Sequence, residues 1–189
     1  MKRFVLALGF AAALFSTAAL ADDISDALNA AAQAYTAGNL SEAKRQADYA
    51  STLIAQKNAE ALKQFLPAPL DGWTAEDADT SSMPTAMFGG GMTAQRKYKK
   101  DGKSVEVSII ADSPMMASIG AMLQNPQMVA MSGGKMVKVG SQMAMMTQGG
   151  EIQFLVANRF YVTVSGSADE ADKLAYANAI DLAGLAAFQ

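Results

Sequence analysis

From Asp22 to about Leu66 the apolar residues recur every three or four positions. Ile24, Leu28, Ala31 and Tyr35 fall on one side of a helix, and Ala43, Ala47, Ala50, Ile54, Ala61 and Phe65 keep a second helix amphipathic. Gly38 stops the first helix, Asn39-x-x-Glu42 has capping-box spacing for the second, and Pro67 and Pro69 close it. The pattern predicts an αα-hairpin.

After Leu70-Asp71-Gly72-Trp73 the period falls to two. Met92 to Tyr98 and Val105 to Ala111 alternate and are joined by Asp101-Gly102, a two-residue hairpin signal. That turn sets Tyr98 opposite Val105, Ala94 opposite Ile109 and Lys97 opposite Glu106, so apolar pairs share one face and an opposite-charge pair the other. Arg96 falls on the apolar side, which predicts a face open at one edge. A second β region begins near Met136. Gly149-Gly150 would join Gln142–Gln148 to Glu151–Ala157, and Asn158-Arg159 would join that strand to Phe160–Ser165. With that turn Leu155 and Val162 share one face and Val156 and Tyr161 the other, so both strands are apolar on two sides and belong in the middle of a sheet. Ser113-Pro114 starts a short helix between the β regions, and Ser167-x-x-Glu170 caps a final one with Leu174, Ile180 and Leu185 on its apolar face. Trp73 reads as an anchor between hairpin and sheet.

The expected fold is therefore α+β: an N-terminal αα-hairpin, then a mostly antiparallel sheet with one inserted helix and a C-terminal helix packed on it. The stretch Ala31 to Ala50, with Ala32, Tyr35, Gly38, Asn39 and Ala43 in order, resembles one tetratricopeptide-style helix pair. No second copy follows at the period of about 34 residues which that family uses. What the resemblance implies is packing through small residues, without a binding function.

The first 21 residues follow another logic. Lys2 and Arg3 precede an apolar run from Phe4 to Phe15, and Ala19-Leu20-Ala21 offers the small-x-small pattern of a leader cleavage site. The run is shorter than the roughly 20 residues a bilayer requires. The expected organisation is a cleavable signal peptide over 1–21, a helical hairpin over 22–66 and an α+β domain over 67–189, in a periplasmic or secreted protein. Losing Lys2 and Arg3 with the leader takes two positive charges from a formal −3 and leaves −5. An acidic chain of this kind is a poor binder of nucleic acid or anionic membrane.

There is no Cys and no His. This removes thiol nucleophiles, disulfides, Ser-His-Asp relays and imidazole or thiolate metal sites. Of 13 methionines, nine fall between Met115 and Met146, and no charged residue occurs from Ser113 to Gly134. Met115, Met116, Ile119, Met122 and Leu123 make an apolar stripe that fits a repackable contact surface for a protein or small apolar ligand. Thioethers also suit Cu(I), for which Met128, Met131, Met143, Met145 and Met146 have workable spacing.

Other motifs fail on chemistry. Phe88-Gly89-Gly90-Gly91-Met92 lacks the Lys-Ser/Thr of a phosphate loop. Ser132-Gly133-Gly134-Lys135 has S-x-x-K spacing, but two glycines make it a turn. Asp77-x-Asp79-x-Ser81 opens like a calcium loop, with Ser82 and Phe88 where Gly and Glu belong. Arg96, Lys97, Lys99, Lys100 and Lys103 cluster at one hairpin tip, as a guarded edge or a seat for an acidic partner. Asp112 and Glu151 are the acids a carboxylate-dependent hydrolase would call on. The composite expectation is an exported accessory or binding protein without catalysis and without a cofactor. A Cu(I) carrier and a small hydrolase are its rivals.

Overall fold

A computed structural model describes residues 19–80 and 91–188. Most of the expected leader, the Gly-rich stretch before Gly91 and the far end of the calcium-like loop lie outside the described residues. The chain divides into two compact units, Met1–Ile54 and Ala55–Gln189.

The first unit holds α1 (Ala19–Thr36) and most of α2 (Leu40–Leu62). Gly38 takes φ +77°, and the N–H groups of Gly38 and Asn39 donate to the carbonyls of Tyr35 and Ala34. This double closure ends α1 and turns the chain back over the three residues Ala37 to Asn39, which makes the helices antiparallel neighbours. The Asn39 side chain accepts from the Glu42 N–H at 3.2 Å, so half of the expected capping box forms. The other half does not. Asn39's own N–H is spent on Ala34, and the Glu42 carboxylate takes Arg45 and Gln46 instead. The expected apolar face of α1 is only partly covered: Ala27 is buried and Ile24 and Ala31 half-buried, while Leu28 and Tyr35 are 49% and 67% exposed.

In the second unit the end of α2 and a 3-10 turn (Lys63–Phe65) supply Ala59, Leu62, Phe65 and Leu66 to the core. The second unit begins within α2, at Ala55, and these side chains belong to its core. Seven antiparallel strands follow: β1 (Thr74–Ala75), β2 (Met92–Lys100), β3 (Lys103–Ala111), β4 (Lys135–Val139), β5 (Gln142–Met146), β6 (Ile152–Val156) and β7 (Phe160–Ser165). Their order is β1-β2-β3-β7-β6-β5-β4, so β7 is central and β6 lies beside it. The β2–β3 register pairs Tyr98 with Val105, Ala94 with Ile109 and Lys97 with Glu106, around a turn with Asp101 and Gly102 both at positive φ. Arg96 is half-buried on the apolar side, its Nη1 3.4 Å from the Pro67 carbonyl oxygen.

The β6–β7 register differs from expectation by one residue. Ala157 and Asn158 carry the positive φ angles, 52° and 54°, and Arg159 is an extra residue before Phe160. Val156 then pairs with Phe160, Leu155 with Tyr161 and Phe154 with Val162. A slip of one residue exchanges faces, so Leu155 sits with Tyr161 and not with Val162.

Helices also divide more finely than their apolar periods imply. Between β3 and β4 there are two: α3 (Met116–Leu123) and α4 (Pro126–Met131). Ser113-Pro114 forms a turn ahead of α3, with the Ser113 hydroxyl accepting from the Met115 N–H at 3.3 Å. Asn125 caps α4 through the N–H groups of Gln127 and Met128, and Pro126 occupies the first turn. The C-terminal helix is likewise two: α5 (Glu170–Asn178) and α6 (Leu182–Ala187), the second capped by Asp181 through the Gly184 N–H. The expected Ser167/Glu170 capping box is absent. The Ser167 hydroxyl accepts from the Ser104 N–H, and Glu170 pairs with Lys135.

One sheet face carries the main core, in which Tyr98, Val107, Ile109, Phe154, Phe160 and Val162 pack with Leu62, Trp73, Tyr176 and Leu185. Trp73 meets Tyr176 edge to face at 5.3 Å. The opposite face carries a smaller cluster of Ile110, Tyr161 and Met116, with Ile119, Leu123 and Leu155 around it.

Candidate functional site

The smaller cluster positions the Met-rich segment. Helix α3 lies on β6 and α4 on β4, both on the less covered side of the sheet. Gly120 lets α3 approach: a Cβ there would stand 3.1 Å from Leu155 Cδ1. Met116 is 8% exposed and belongs to the cluster, while Ile119, Met122 and Leu123 are half-buried. Met115, at 43% exposure, is the outward member of the expected stripe. The stripe is thus mostly the helix's inner side.

The outer side belongs to other methionines. Helix α4 buries Val129, which at 1% exposure is its single anchor, and Met128 and Met131 on either side turn outward at 49% and 88%. On β5, Met143 is 59% exposed, whereas Met145 and Met146 are buried. Strand alternation sends Met143 and Met145 to one face and Met146 to the other, where it joins the main core beside Ile152. The five thioethers considered for Cu(I) therefore do not share one face. Among the described residues no group of three His, Cys, Asp or Glu side chains could hold a metal.

Sequence spacing grouped Met128 and Met131 as ligands and overlooked them as surface. The available signal was Val129: in so short a helix, one branched apolar residue fixes the inner side and leaves its neighbours outside.

The remaining candidates are engaged structurally. Asp112 receives two hydrogen bonds from Arg159, at 2.7 and 2.8 Å, and the guanidinium holds its carboxyl below the ordinary value of 3.8. Glu151 accepts from Gln153 Nε2 at 2.8 Å. The Ser132 hydroxyl donates to the Val129 carbonyl, while Lys135 pairs with Glu170 at 2.6 Å, so the S-x-x-K residues serve different partners. The basic hairpin tip lines a shallow groove of about 550 Å³ with Lys97, Lys99, Lys100 and Lys103. Lys99 pairs there with Glu76 and Lys103 with Asp169, and each lysine lowers its partner's carboxyl pKa by hydrogen bonding. Exposed pairs of this kind contribute little to stability.

Among the described residues no helix is long and apolar enough to cross a membrane. No known family, no curated protein and no solved structure matches this chain.

Proposed function

We propose that this is an exported accessory or binding protein that contacts a protein or small apolar ligand through the outer side of α3 and α4, without catalysis. The observation that carries this reading is the exposure of Met115, just ahead of α3, and of Met128 and Met131 on α4, where the two adjoining helices hold no charged residue. A solvated helix face ordinarily carries charge, whereas unbranched, polarizable side chains can repack against partners of different shape. Burying one such Met contributes about 1.5–3 kcal/mol before ordering costs. The sheet supplies the rigid base, since Met116 and Val129 fasten both helices to it.

The contact is read by a photo-crosslinking side chain at position 131, with the same group at Asn158 as a control on an exposed turn. The expected result is a discrete adduct in the export compartment from 131 alone, lost when Met128 is changed to Glu. Equal yields from both positions would remove the α3–α4 surface from consideration.

A further inference from the structure

The large apolar side chains exposed among the described residues fall into two groups. Four are methionines of the second unit; the other five, Leu28, Tyr35, Leu40, Tyr49 and Ile54, all lie in the helical hairpin of the first. Successive helical residues turn by about 100°. On α1 this sets Leu28, Ala31 and Tyr35 in one narrow stripe. On α2 it sets Leu40, Ala47 and Ile54 in another, with Tyr49 on the far side. The covered residues locate the seam between the helices: Ala27 and Ala34 on α1, Gln46 and Ala50 on α2. For antiparallel helices both stripes then fall about a quarter turn from that seam on the same side. Leu28, Tyr35, Leu40 and Ile54 thus make one continuous apolar face across the pair.

We infer that this face pairs with the same face of a second copy of the chain, around a twofold axis near Ala47. Three features favour a second copy over a different partner. A patch that meets itself must not carry net charge, and the charge at its edge on α2, Lys44, is already neutralised within the helix by its pair with Asp48. Asp23 and Asp26 point away from the face by the same helical arithmetic. Size is distributed self-complementarily: exposed Ala47 lies midway between Leu40 and Ile54, so a twofold there sets small residues where backbones approach and large ones beside them. The area also suffices. At roughly 200 Å² for a large apolar side chain, the exposures of 49%, 67%, 65% and 40% leave roughly 400 Å² per copy. Two copies would cover roughly 800 Å² from these four residues alone, and the alanines and rim bring the total to about the 1,000 Å² a specific interface needs. The product is a four-helix bundle made from two hairpins, neither of which has a full core of its own.

The test is sedimentation velocity on the protein as exported, wild type beside Leu28→Glu/Leu40→Glu and Met128→Glu/Met131→Glu. The expected result is a concentration-dependent dimer for the wild type and the methionine variant. The hairpin variant, folded by circular dichroism, should dissociate at least about tenfold more readily. Because the chain has no Cys, Ala47→Cys offers a second readout: a disulfide-linked dimer under mild oxidation, absent for Asn158→Cys. A wild type that stays monomeric at about 100 µM, or a hairpin variant that dimerises unchanged, would overturn the inference. Loss of the dimer in the methionine variant alone would move the interface to α3 and α4.

Discussion

Asp112 and Arg159, 47 positions apart in the chain, form a two-pronged ion pair that ties the end of β3 to the turn between β6 and β7. Arg159 also donates from Nη1 to the Phe188 carbonyl at 2.6 Å and lies over the Phe160 ring at 5.0 Å. One guanidinium thus joins three segments, and it can do so because the extra residue in the β6–β7 turn is Arg159 itself. The planar fork matters, since a lysine offers a point charge and cannot reproduce two parallel bonds.

Arg159→Ala is expected to cost about 1–2 kcal/mol at neutral pH, most of it from the Phe188 bond and ring contact, because the ion pair is partly exposed and screened. Arg159→Lys should recover little of the loss. The Asp112 carboxyl has a folded-state pKa below its ordinary 3.8, so its contribution is present above that value and lost as pH falls through the folded value. Urea melts of wild type and Arg159→Ala should therefore lie further apart at pH 7 than at pH 2.5. A gap that widens in acid would assign the pair no such role.

The Met-rich segment should split in two under mutation. Met116→Ala removes a side chain packed with Ile110 and Tyr161 and is expected to destabilise by about 2–4 kcal/mol. Met131→Ala, at an 88% exposed position, should stay within about 0.5 kcal/mol. Thermal melts of the two variants check this directly. Equal costs would mean that α4 is as deeply packed as α3.

How much of this was legible in the sequence follows from which forces set each feature. The β2–β3 hairpin was readable because Asp101-Gly102 and the alternation of both strands agree on one register. The β6–β7 register was not, because both strands are apolar on both faces, so hydrophobicity does not distinguish two alignments one residue apart. Ala157 gave no turn signal, being a residue that rarely takes positive φ. Helix breaks at Asn125-Pro126 and Asp181 carry cap residues that the apolar period alone passes over. At the candidate surface, composition marked the segment, but which methionines face outward depends on the anchors Met116 and Val129, which only packing on the sheet reveals.

The strained turn leads to a third expectation. Ala157 holds φ 52°, in a region where a Cβ is unfavourable and glycine is at ease. Ala157→Gly should stabilise by about 0.5–1 kcal/mol, the relief of left-handed strain exceeding the added freedom of the unfolded chain. A urea midpoint that rises with an unchanged slope is the confirming result. Destabilisation would mean that the Ala157 methyl makes a contact worth more than the strain.

Tyr98 gives the alkaline counterpart of the acid prediction. Its hydroxyl donates to the Pro67 carbonyl at 2.6 Å inside the main core, and burial pushes its pKa up to about 12. Tyr161 on the opposite sheet face is raised to about 12 by burial as well. A raised folded-state value means that the protonated form is the one the fold favours. The contribution is therefore complete below the ordinary value of 10 and is lost as pH rises from there towards 12. Stability should fall steeply across that window, and absorbance titration should show these two phenols ionising together with loss of the near-ultraviolet dichroism. Tyr98→Phe should cost about 1 kcal/mol at neutral pH, with Arg96 left as the partner of the Pro67 carbonyl, and should flatten the alkaline decline. A decline as steep in the variant as in the wild type would assign the alkaline transition to groups other than Tyr98.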